Sequence, residues 1–187
     1  TEGTTTSIMA TATVTDLNGY SDIVAASSTY FRSSIAGGRN CSADSNNCYQ
    51  IATSSCALSN CAGNSCTISC AAPMYYFADP TDVGSTFASD VWSAIVDIWD
   101  TANAHSNSSS NQELYTLKAL TSSSTINYGS ITVGTDTGAS DATTTVSNTG
   151  NTVLNLLLSG SNMTAGSSTI TVDKQKYATS TFVYSSC

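Results

Sequence analysis

Six cysteines, Cys41, Cys48, Cys56, Cys61, Cys66 and Cys70, fall within thirty residues, and the only other one, Cys187, is the last residue. Such density in a short stretch belongs to chains that mature in an oxidising compartment, where bridges hold segments too poor in apolar residues to hold themselves. The spacing contains no C-x2-C pair, the usual mark of a zinc site. Six cysteines allow fifteen pairings, but flanking positions favour one set. Cys61 and Cys66 bracket the tip Ala62-Gly63-Asn64-Ser65, Cys56 and Cys70 bracket that hairpin, and Cys41 and Cys48 bracket a polar loop at 42–47. The expectation is three local bridges, Cys41–Cys48, Cys56–Cys70 and Cys61–Cys66, in a loop-rich insertion at about 36–70. Cys187 is left over.

The rest of the chain reads as strands. Hydrophobic residues make up 40% and charged residues only 10%, while Ser and Thr contribute roughly a third. That balance suits sheets with hydroxyl-covered outer faces rather than disorder, which needs high net charge and few apolar residues. Residues 7–16 alternate with period two, and the Asn18-Gly19 turn follows. Further strands are expected at 21–34, 67–78 and 111–120. Residues 90–104 fit two templates: Trp92, Ile95, Val96 and Trp99 form a helical stripe, whereas Trp92, Ala94, Val96 and Ile98 alternate. Branched and aromatic residues favour the strand, with both tryptophans in the core. Short alternating runs at 126–133, 142–147, 152–159, 169–172 and 180–184, bounded by Gly, Asn or Ser, continue the pattern.

Two motifs carry a resemblance. Val14-Thr15-Asp16-Leu17-Asn18-Gly19 with Asp22-Ile23 resembles the corner between two strands in immunoglobulin-like and PKD-like surface domains, and residues 91–100 are similar to a later strand of such domains. The stretches Ile126-Asn127-Tyr128-Gly129, 143–151, 156–160 and 175–182 are similar to secreted tandem β-sandwich proteins encoded by uncultured candidate-phyla bacteria. The resemblance implies an all-β chain of two consecutive immunoglobulin-like β-sandwich domains. The first would span 1–119 and carry the cysteine-rich insertion; the second, 120–187, would be small or incomplete. It also implies a structural or adhesive role at the cell surface.

Charge narrows the partners. Net charge is −8 with five basic residues, so the basic footprint that nucleic acid requires is missing. No apolar run approaches the length of a membrane span, and no signal peptide opens the chain, which reads as the mature or excised part of a longer extracellular protein. Calcium is the one cofactor candidate: Asp16, Asn18, Asp22 and Asp100 are oxygen ligands around strand ends. Sequons place candidate glycosylation at Asn40, Asn107 and Asn162. Catalysis finds no constellation, since His105 is the only histidine and no nucleophile elbow occurs. The expected function is therefore a non-enzymatic structural subunit or repeat of an extracellular surface layer, sheath or filament. It would self-associate, or join neighbouring repeats, through edge strands and sandwich ends. The alternative is an adhesin or carbohydrate-binding module that meets host or cell-surface glycans through Tyr75, Tyr76 and the cysteine loop.

Overall fold

The computed structural model describes residues 1–186, so the expectation for Cys187 lies outside the described residues. The protein is all-β, built of antiparallel sheets, and separates into two compact units. One is Thr1–Leu120 together with Thr149–Val153; the other is Thr121–Asn148 together with the residues from Leu154 onward. No described helix is long and apolar enough to cross a membrane.

The first unit has seven strands: β1 (Thr5–Thr15), β2 (Ile23–Arg32), β3 (Cys48–Ile51), β4 (Cys56–Ala62), β5 (Ser65–Tyr75), β6 (Trp92–Asp100) and β7 (His105–Gln112). They form a three-stranded sheet, β1-β5-β4, and a four-stranded sheet, β3-β2-β6-β7. Period-two alternation turns one face of each sheet inward. Ile8, Ala10, Ala12 and Val14 of β1 and Cys66, Ile68, Cys70, Ala72 and Met74 of β5 meet Ala26 and Tyr30 of β2 and Trp92, Val96 and Ile98 of β6 in one core. The Asn18-Gly19 turn carries the chain from one sheet to the other, with Gly19 at φ 110°. Positive φ is a conformation glycine adopts without a Cβ penalty.

The cysteine-rich stretch is not a loop-rich insertion. It supplies the edge strands β3 and β4 and part of the central strand β5. Cys66 and Cys70 are fully buried, so two bridges lie in the core. Small polar residues such as Ser59 and Thr67 form ladder as readily as loop once a neighbouring strand takes their backbone groups. Residues 33–47 cover the outer face of the four-stranded sheet, where Phe31, Ile35 and Ile95 pack around the Cys41–Cys48 bridge.

Two further expectations are corrected. The strand placed at 111–120 lies instead at β7, whose sequence His-Ser-Asn-Ser-Ser-Ser-Asn-Gln has no apolar residue. Its backbone pairs with β6 from Trp92↔Gln112 to Trp99↔His105. Trp92 is buried, but Trp99 lies on the outer face, half-exposed, its ring 6.4 Å from that of His105.

Residues 149–153 rejoin the first unit. Asn151 Oδ1 accepts the Leu117 N–H at 2.6 Å and Asn151 N–H donates to the Leu117 carbonyl at 3.0 Å. Gly3 N–H donates to Thr149 O at 3.0 Å. A Cβ at Gly150 would stand 2.1 Å from the Leu117 carbonyl oxygen, so only glycine allows this approach.

In the second unit, two two-stranded ladders form: β8 (Leu120–Ser122) with β9 (Val146–Asn148), and β10 (Met163–Ala165) with β11 (Ser168–Ile170). The runs at 126–133, 152–159 and 180–184 form no strand among the described residues. Exposed Ile126, Ile131, Val153 and Leu157 show why alternation alone was insufficient there: a strand needs a partner edge and a face to bury.

Candidate functional site

The corner between β1 and β2 meets the end of β6. Asp16 follows β1, Asp22 precedes β2 and Asp100 ends β6, and one carboxylate oxygen from each lies within 4.8 Å of the others. Backbone bonds fix the arrangement. Thr101 N–H donates to Asp22 O at 3.0 Å, Gly19 N–H to Asp16 O at 3.2 Å, and Asp100 N–H to Ala104 O at 3.1 Å. Side chains are aimed by local bonds: Asn18 N–H donates to Asp16 Oδ1 at 2.7 Å, Asn18 Nδ2 to Asp22 Oδ2 at 3.3 Å, and Ala104 N–H to Asp100 Oδ1 at 2.8 Å. The Thr101 hydroxyl donates to Asp22 Oδ1. That bond first, then the Asn18 amide, holds the Asp22 carboxyl below its ordinary value.

No ion pair reaches these three carboxylates among the described residues. Three like charges so close repel one another. An oxygen-rich, half-exposed cluster of this kind suits a hard divalent cation, which takes six to eight oxygens. Asn18 stands in the same corner but spends its amide on Asp22. The structure thus brings together all the acidic ligand candidates, although Asp100 is far from the others in sequence.

Asp79, Asp82, Asp90 and Asp97 are instead used by the fold. Arg32 on β2 donates from Nε to Asp79 at 3.0 Å, bonds Asp90 and the Ser34 hydroxyl, and lies 3.8 Å from the centre of the Phe87 ring. Burial raises the Asp79 carboxyl despite the guanidinium, while the Ser34 hydroxyl, then Arg32, lower that of Asp90. Asp97 pairs with Arg39 at 2.5 Å. Asp82 accepts the Thr116 N–H at 2.8 Å and its hydroxyl at 2.7 Å.

The bridges Cys41–Cys48, Cys56–Cys70 and Cys61–Cys66 are present. Cys56 stands opposite Cys70 in the β4–β5 register. Asn40, Asn107 and Asn162 are all exposed. Asn107 lies on β7 opposite Asp97, and Asn162 accepts the Val172 N–H at 2.9 Å. Tyr75 and Phe77 stack at 5.1 Å, with Tyr76 edge-on to Phe77. His105 is exposed at the start of β7.

Sequence reasoning missed the flank between β1 and β7. Among the described residues each of these strands has a neighbour on one side only. Between them opens a cleft of about 370 Å³. Tyr30, Trp92 and Val96 lie at its base, Ile8 and Ala10 along β1, and Ser108 and Ser110 along β7. The signal available in sequence was the polarity of 105–112, which cannot close a core.

Compared with known proteins, the chain matches no family model, no curated protein and no solved structure.

Proposed function

We propose that this chain is a structural subunit or repeat of an extracellular assembly, a surface layer, sheath or filament, joined through sheet edges and sandwich ends. One observation carries the reading. The four edge strands of the first unit, β1, β4, β3 and β7, contain no Asp, Glu, Lys, Arg or Pro. Monomeric sheet proteins usually guard their edges with charge, proline or a covering segment. Unguarded edges, one of them eleven residues long, are templates for pairing with another chain. Buried disulfides support an oxidising, extracellular setting.

On this reading the first unit is an immunoglobulin-like sandwich without its first strand. The orders β1-β5-β4 and β3-β2-β6-β7 correspond to B-E-D and C′-C-F-G of that fold. Calcium at Asp16, Asp22 and Asp100 would lock the corner at one end, and no catalytic role is assigned. Electron microscopy of native material tests the proposal. An ordered lattice or filament is expected; a strictly monomeric native particle would overturn it.

A second reading, glycan binding, draws on the Tyr75–Phe77–Tyr76 ring cluster, in which Tyr75 is exposed. A glycan array is its test, and binding lost in Tyr75→Ala would favour it.

A further inference from the structure

We propose that the cleft between β1 and β7 of one copy receives residues 152–159 of a second copy as an added strand. The inference rests on the assembly reading and deepens it by naming acceptor and donor.

The acceptor is a sandwich flank whose apolar lining is only partly buried at Ile8, Ala10, Ala94 and Leu114. Beneath them Tyr30, Trp92 and Val96, themselves buried in the core, form the base of the cleft. On β7 the residues paired with the inward positions Val96 and Ala94 are Ser108 and Ser110, both exposed. Serines at core-facing positions of an edge strand leave that partly buried apolar lining for another segment to cover. β1 offers a backbone ladder: it pairs with β5 alone, and of its groups Ala10 N–H is taken by the Tyr30 hydroxyl at 2.7 Å. Strand addition to such an edge gains main-chain hydrogen bonds, while alternate side chains fill the pocket beneath.

The donor has the matching pattern. Residues 152–159 read Thr-Val-Leu-Asn-Leu-Leu-Leu-Ser and lie in no strand or helix. In an extended chain Leu154, Leu156 and Leu158 share one side. Leu156 is 54% exposed and Leu158 50%. A contiguous apolar run left in water marks an interaction site more often than scattered apolar residues do. Its length of about 26 Å is within the roughly 36 Å of β1.

The assembly reading supplies a second copy as the source, and charge does not oppose it. The molecule carries −8, so like surfaces repel, yet residues 142–172 contain no Asp, Glu, Lys or Arg. Glu113 is the one charged side chain along the cleft. An uncharged donor thus meets an acceptor with a single acid, so little of the molecule's self-repulsion falls on this contact. They are also different surfaces, so the contact is head-to-tail and can propagate into a filament.

The test uses the full chain. Sedimentation over a concentration series is compared for wild type and Leu156→Asp/Leu158→Asp, with near-ultraviolet circular dichroism as the check on folding. The double substitution should weaken association at least about 100-fold. A synthetic peptide covering 150–161 should bind the variant and block wild-type assembly. A photo-crosslinker at Leu156, in a mixture of light and 15N-labelled chains, should join it to β1 or β7 of another copy. If the variant assembles like wild type, the donor assignment fails while the assembly reading stands. Crosslinks confined to single copies would overturn the second-copy assignment. A wild-type chain that stays monomeric at all concentrations, with no lattice in native material, would overturn both.

Discussion

The Tyr30 hydroxyl on β2 donates to the Cys70 carbonyl on β5 at 2.6 Å. The same oxygen accepts the Ala10 N–H of β1 at 2.7 Å, so one phenol ties the four-stranded sheet to two strands of the other. Tyr30→Phe keeps the ring and strands both backbone groups. The expected loss is about 1–3 kcal/mol, measured as a lower urea midpoint at unchanged slope.

Alkaline titration should report the same burial. Desolvation raises the hydroxyls of Tyr30 and Tyr49 above their ordinary value. A folded value above the unfolded one means the unfolded chain releases the proton first. The contribution of these two groups to stability is therefore full below about pH 10 and is lost as pH rises through the folded values. Absorbance of phenolate at rising pH should show Tyr30 and Tyr49 ionising late, together with unfolding; a late phase that persists in Tyr30→Phe/Tyr49→Phe would overturn this assignment.

Arg32 answers two acids, Asp79 and Asp90, in a buried setting. Arg32→Gln leaves both carboxylates without their cation and should cost about 3–5 kcal/mol. The acid side follows in sign. Asp90 has a lowered value, so its stabilisation is present above about pH 4 and lost as pH falls below it; Asp79, raised by burial, is instead favoured by its proton and opposes that trend near pH 4. Thermal melts between pH 2 and pH 6 should show a stability loss below pH 4 that Asp90→Asn reduces.

The Cys56–Cys70 bridge closes a separation of 14 residues and the Cys61–Cys66 bridge one of 5. Loop-closure entropy assigns them about 3 and about 2 kcal/mol. Cys56→Ala/Cys70→Ala should destabilise more than Cys61→Ala/Cys66→Ala, because each empties volume at one fully buried cysteine, Cys70 or Cys66, but the first opens the longer loop. Equal denaturation midpoints for the two double variants would contradict this.

Calcium added to the protein should raise its melting temperature, by an amount equivalent to about 2.7 kcal/mol when the ion is at 100 times its dissociation constant. Asp22→Asn should remove most of the gain, and chelator should leave the variant unaffected. An unchanged melt of the wild type across millimolar calcium would remove the cation from the corner.

The strand character of β1, β2, β5 and β6 was legible because each alternates against a buried face. Bridge partners were legible because each pair brackets a short span. β7 was not, because a polar edge strand is specified by the backbone of β6 rather than by its own side chains. The runs in 126–133 and 152–159 misled for the converse reason: they have the alternation but no neighbouring strand.

By itself the sequence determined the compartment-dependent chemistry of the cysteines, the all-β class and the identity of the acidic corner residues, because these depend on residue type and local spacing. Tertiary structure alone decided that the cysteine segment belongs to the sandwich, that Asp100 joins Asp16 and Asp22, and that the flank between β1 and β7 is open. Those outcomes depend on which strands become neighbours. Strand neighbours are chosen by the free energy of burying faces and pairing edges across the whole chain, a sum that no short window of sequence contains.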